Sequence, residues 1–114
     1  MQAKTNRFIG FYQSKDMAEK ISSSDLKDKI NDFVILDVRE SDEIDEGKIN
    51  NSTHMPLGLV IRNVNKGEID DLKDKKICTY CRNGYRGNIA ADELKKKGFD
   101  AVTLDGGFMA WENS

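Results

Sequence analysis

Three short apolar runs punctuate an otherwise charged chain: "FVILDV" at Phe33–Val38, "ICTY" at Ile77–Tyr80 and "AVTL" at Ala101–Leu104. They are continuous rather than alternating, and partly β-branched. Such runs fit strands buried on both faces, as in a parallel sheet. Between the last two, Ala90, Ala91 and Leu94 share one helical face. Lys95–Lys97 put positive charge on that helix's last turn, and Gly98 closes it. Strand, helix and strand at this length make a βαβ unit, which predicts a mostly parallel sheet covered by helices. Upstream, "SSSDLKDKI" offers serine caps before Asp25, with Leu26 and Ile30 four apart on one face. "GGFMAWENS" predicts a terminal helix anchored by Phe108 and Trp111, and Phe8–Tyr12 an edge strand.

The 114 residues are enough for one domain and a single core. Eighteen Lys and Arg against twenty Asp and Glu leave a net charge of −2, which gives no case for a nucleic-acid or membrane surface. The patch at Phe8–Tyr12 falls short of the roughly 7–15 apolar residues of a secretory signal. No run reaches the roughly 18 apolar residues of a membrane span. Two cysteines cannot build a disulfide framework, so the expectation is a reducing, cytoplasmic setting.

Ligand sites in parallel sheets lie beyond the carboxyl ends of the strands. Asp37–Glu40 follow the first core strand and Cys81–Gly87 the second, so both charged segments emerge on one edge and point to a shared site. The second segment carries the chemistry. "KKICTYCRNGYRGN" contains both cysteines, three positions apart. A zinc site fails on counting, because His54 is the sole histidine and four ligands are usual. A redox pair needs Cys-x-x-Cys at a helix start, whereas Cys78 lies inside the strand. Residues three apart in a strand face opposite sides, which leaves Cys78 as a small buried hydrophobe. The remaining reading is one nucleophile, Cys81, followed by two glycines, two arginines and a helix. Converging amides, a helix N-terminus and the charges of Arg82 and Arg86 all favour an anionic sulfur. On that segment alone, an ordinary glycine turn with solvated arginines fits equally well.

"DVRE" (Asp37–Glu40), "GKINNSTHMP" (Gly47–Pro56), "CRNGYRG" (Cys81–Gly87) and "LDGGFMAW" (Leu104–Trp111) resemble, in order and spacing, the signature segments of single-domain rhodaneses. The resemblance runs from about Ile21 to Trp111. It implies a rhodanese-like α/β domain at 21–114, with a central five-stranded, mostly parallel sheet and helices on both faces. Residues 1–20 are then an N-terminal extension or edge strand. It also implies sulfurtransferase chemistry without a cofactor or metal. Thiosulfate or a persulfide donor loads a sulfane sulfur on Cys81, and cyanide, a small thiol or a thioredoxin-like protein thiol removes it. Carried over by position, the segment Arg82, Asn83, Gly84, Tyr85, Arg86 and Gly87 forms the substrate-binding cradle. Arg82 and Arg86 are its anion-holding and loop-shaping side chains, and Asp37 and Arg39 brace it.

Loop length separates sulfur from phosphate. Related phosphatases use a loop one residue longer, Cys-x5-Arg, and here that position is Gly87, with the second arginine at Cys-x4-Arg. Gly87 also departs from the serine common in the resembled family, which weakens capping. His54 reads as a structural loop residue, Lys48 as a surface change, and Tyr85 as a residue shaping acceptor access. The alternatives are a non-catalytic binding or regulatory module on the same fold, and a phosphatase or arsenate reductase.

Overall fold

The computed structural model describes residues 17–114; Phe8–Tyr12, expected as an edge strand, lies outside the described residues. The described chain runs β1 (Glu19–Ile21), α1 (Ser23–Asp28), β2 (Phe33–Asp37), α2 (Ser41–Ile44), β3 (Thr53–His54), α3 (Leu57–Lys66), β4 (Lys76–Tyr80), α4 (Tyr85–Lys96), β5 (Asp100–Leu104) and α5 (Gly107–Glu112). The five strands form one sheet in the order β1-β5-β4-β2-β3, and every pairing is parallel. The three apolar runs are its three central strands.

Each central strand is buried on both sides because helices cover both faces. Leu36, Val38, Ile77, Cys81 and Ala101 pack with Val60 and Val64 of α3 and with Ala90, Ala91 and Leu94 of α4. Ile35, Cys78, Tyr80 and Leu104 point the other way, against Leu26 of α1 and Phe108 of α5. The two cysteines therefore belong to opposite cores. At roughly 25 cal/mol per Å² of apolar surface buried, these two layers are the main source of stability.

Local signals set the helix ends. Ser22 caps α1, its hydroxyl accepting from the Asp25 amide at 3.1 Å. At the far end of α4, Gly98 N–H donates to the Lys95 carbonyl and Phe99 N–H to the Leu94 carbonyl, the paired closure that a glycine after a helix favours. Helix α3 was not anticipated from the sequence. Its signal was present: Leu57, Val60 and Val64 lie on one face between Pro56 at the N-cap and Gly67 at the C-cap. His54, expected in a loop, instead lies on β3, paired with Asp37, and its Nε2 donates to the Arg39 carbonyl at 2.7 Å.

Candidate active site

Strand β4 ends at Tyr80, and α4 starts four residues after Cys81, with Gly84 (φ +106°) as its N-cap. Cys81 is buried at the bottom of this hand-over. The Gly84 N–H donates to Cys81 Sγ at 3.2 Å. The thiol in turn donates to Asn83 Oδ1 at 3.8 Å, and the same oxygen accepts the Tyr85 N–H at 3.1 Å. The first turn of any helix leaves its amides without intrahelical acceptors. Asn83 satisfies the Tyr85 amide, and Arg86 and Gly87 follow in the same first turn, the positive end of α4. Amides from Arg82 to Gly87 are expected from the sequence to converge on the sulfur. In the thiol form one of them makes that bond, and the Asn83 side chain holds a second.

Both loop arginines are already paired. Arg82 bonds Glu46 at the surface, and Arg86 makes two hydrogen bonds to Glu43, at 2.6 and 2.7 Å. The Arg86 bonds outweigh burial and hold the Glu43 carboxyl at about 2 instead of 4.5; Arg86 is raised chiefly by the same bonds. Glu43 is also half of a capping box, its Oε1 accepting from the Glu40 amide at 3.0 Å. The arginines thus tie the Cys81 loop to α2 and the turn after it, and their charges are largely compensated. Glu43 and Glu46 were not picked out from the sequence. The available signal was an acidic run, "ESDEIDEG", leaving the same sheet edge.

Asp37 and Arg39 form the buried brace beneath that run, each 1% exposed. Arg39 Nη2 and Nε donate to Asp37 at 2.7 and 2.9 Å, and Tyr80 Oη donates to the same carboxylate at 2.7 Å. Burial pushes the Asp37 pKa up, but the bonds from Arg39 and Tyr80 more than offset it, so the carboxyl stays below its ordinary value. Arg39 also donates to the carbonyls of Gly47 (2.7 Å) and Glu43 (3.4 Å) and stacks 4.7 Å from the Phe108 ring. The brace therefore fixes the backbone that presents Glu43 and Glu46. It reaches the loop through α2 and through Tyr80, the residue before Cys81, not by touching the sulfur.

Helix α5 closes the remaining side. Phe108 N–H and Met109 N–H donate to the carbonyls of Cys81 and Arg82 at 2.8 and 3.0 Å. Gly107 (φ +64°) permits this approach, since a Cβ there would fall 2.5 Å from the Cys81 oxygen. Cys78 is buried and inert, its thiol pushed up to about 12 by burial. Tyr85 is 72% exposed at the rim. Among the described residues, no three His, Cys, Asp or Glu side chains gather into a metal-binding group, and no helix is long and apolar enough to cross a membrane. The arrangement puts one buried thiol against the Gly84 amide at the positive end of a helix.

A family model described as the rhodanese-like domain matches residues 22–114. The Bacillus subtilis protein YtwF is 37% identical over 97 residues, covering 82% of this chain and 90% of its own length. A sulfurtransferase of Allochromatium vinosum is 31% identical over 99 residues, covering 83% of this chain and 89% of its own length. The crystal structure of a rhodanese-related protein from Thermoplasma volcanium superposes with a TM-score of 0.72 at 30% identity, covering 83% and 91% of the two chains.

Proposed function

The chain belongs to the rhodanese-like family, and from that premise we propose that it is a sulfurtransferase carrying a sulfane sulfur on Cys81. The donor is thiosulfate or a persulfide, and the acceptor is cyanide, a small thiol or a thioredoxin-like protein thiol. In the first step the Cys81 thiolate attacks the outer sulfur of thiosulfate. A sulfur–sulfur bond forms at Cys81, and the old one breaks with its electron pair leaving on sulfite. In the second, the acceptor attacks that outer sulfur and returns Cys81 as thiolate. Neither displacement needs a proton shuttle along the way, and neither needs a cofactor. Two free cysteines agree with a reducing, cytoplasmic setting.

The observation that carries the reading is the Gly84 N–H on Cys81 Sγ at the head of a twelve-residue helix. That amide, at the positive end of α4, supplies a fixed dipole for a terminal sulfur anion. The loop offers no arginine at Gly87 to clamp a phosphoryl group, and the arginine it has at position 86 is held by Glu43. The test is a steady-state assay for sulfite and thiocyanate release from thiosulfate and cyanide, with p-nitrophenyl phosphate as a parallel substrate. Sulfite release that disappears in Cys81→Ser, with no phosphate release, supports the reading. Phosphate release without sulfur transfer overturns it.

A further inference from the structure

Beneath the start of α4, on the face away from Arg39, two threonines of neighbouring strands lie side by side. Thr79 of β4 and Thr103 of β5 are register partners and are 0% and 1% exposed. A buried hydroxyl has to find a partner, and these find each other's strand and then the helix. Thr103 Oγ1 donates to the Thr79 carbonyl at 3.3 Å, and Thr79 Oγ1 donates to the Gly87 carbonyl at 2.7 Å. Thr79 precedes Cys81 by two residues and Gly87 follows it by six. The second bond therefore staples the base of the Cys81 loop across its two ends.

Gly87 supplies the room. A Cβ built on it would fall 2.9 Å from Thr103 Oγ1, 3.2 Å from Tyr80 Cα and 3.3 Å from Cys81 N. The first of these is closer than real Cβ contacts come, so a side chain at 87 would displace something. Two of its neighbours are backbone atoms flanking the nucleophile. The third is the hydroxyl of Thr103, standing in the volume that a serine at 87 would enter.

We infer that Thr79 and Thr103 are positioning residues for sulfur loading at Cys81, and that Gly87 leaves the space the Thr103 hydroxyl occupies. The inference rests on the reading of Cys81 as the sulfur carrier. The staple sets where the helix-start amides lie relative to the sulfur, and misplacement of such groups by about 1 Å can cost orders of magnitude in rate. The role belongs to the hydroxyls rather than to the methyls, which makes it separable from packing.

Each threonine is replaced by valine, which keeps the shape and loses the hydroxyl, and by serine, which does the reverse. For every variant, kcat and KM for sulfite release from thiosulfate and the urea midpoint are measured. The valine variants lose roughly tenfold in kcat with KM little changed, and the serine variants keep the parent's kcat. The opposite order, valine tolerated and serine impaired, overturns the positioning role. A second comparison addresses the shared volume. Gly87→Ser alone lowers both the urea midpoint and the loading rate, and combining it with Thr103→Ala recovers most of the midpoint while loading stays low for want of the hydroxyl; simple additivity of the two changes in the midpoint counts against the shared volume. A parent protein that takes sulfur from no donor overturns the carrier reading itself. A parent that loads sulfur while all four threonine variants match it overturns only the positioning role.

Discussion

Glu43 grips Arg86 through two hydrogen bonds of 2.6 and 2.7 Å, joining α2 to the first turn of α4 across 43 residues of sequence. The Arg86 bonds hold the Glu43 carboxyl at about 2, below its ordinary 4.5. A depressed carboxylate stabilises the fold above its unfolded pKa, and that contribution is lost as pH falls through the folded value. Glu43→Gln, which resembles the protonated acid, should therefore be less stable than the parent at pH 7 by roughly 1–3 kcal/mol. The difference should close between pH 4.5 and about pH 2. Urea midpoints across that range measure it, and a gap that stays constant to the acid end contradicts the pairing.

Arg39 and Asp37 make a heavier demand, because both are removed from water. Breaking such a pair leaves a buried charge without its partner, at a cost of about 3–5 kcal/mol. Arg39→Ala should lose that much stability in chemical denaturation, and sulfur loading should fall as the α2 backbone loosens. A loss below about 1 kcal/mol would mean that water reaches the carboxylate and that the brace is not structural.

Cys78 offers an internal control. Its thiol faces the core opposite to Cys81 and is pushed up to about 12 by burial. Cys78→Ala should cost roughly 1 kcal/mol through the small void it leaves, while sulfur loading stays at the parent rate. A large drop in loading with little change in stability would make Cys78 a participant in the chemistry.

Asn83 sits between two donors, accepting the Tyr85 amide at 3.1 Å and the Cys81 thiol at 3.8 Å. Asn83→Ala should leave that amide open. Asn83→Asp should place a full negative charge beside the sulfur and load at least roughly tenfold more slowly than the alanine variant, since like charges about 4 Å apart repel by about 1 kcal/mol in bulk water and about 4 kcal/mol near a protein surface. Stopped-flow loading rates compare the two, and equal rates would mean that position 83 lies outside the anion's field.

The parts of this molecule that showed in its sequence are those where burial on both faces or a helical period overrides everything else. The apolar runs Phe33–Val38, Ile77–Tyr80 and Ala101–Leu104 fit buried strands, and the three central strands are Phe33–Asp37, Lys76–Tyr80 and Asp100–Leu104. Strand β3 was invisible because its two residues, Thr53 and His54, are exposed and carry no apolar pattern. Helix α3 carries a legible apolar face between Pro56 and Gly67, although it lies between two segments with no apolar run of their own. At the site, Cys81 and its loop could be located from residue type, and Asp37 and Arg39 from the resemblance. The Arg86–Glu43 and Arg82–Glu46 pairs could not, since charge pairing between distant segments depends on a register that only the folded sheet supplies. Gly87 looked like a loss of capping; its meaning lay in Thr103, sixteen positions away on another strand.

What must hold for the rest to matter is that one particular sulfur atom becomes the carrier. Intact mass spectrometry of the protein after incubation with thiosulfate, followed by cyanide, examines this directly. The account predicts one added sulfur atom per chain, retained in Cys78→Ser, absent in Cys81→Ser, and removed by cyanide. A protein that gains no sulfur from thiosulfate or from an organic persulfide, or one whose added sulfur survives Cys81→Ser, contradicts it.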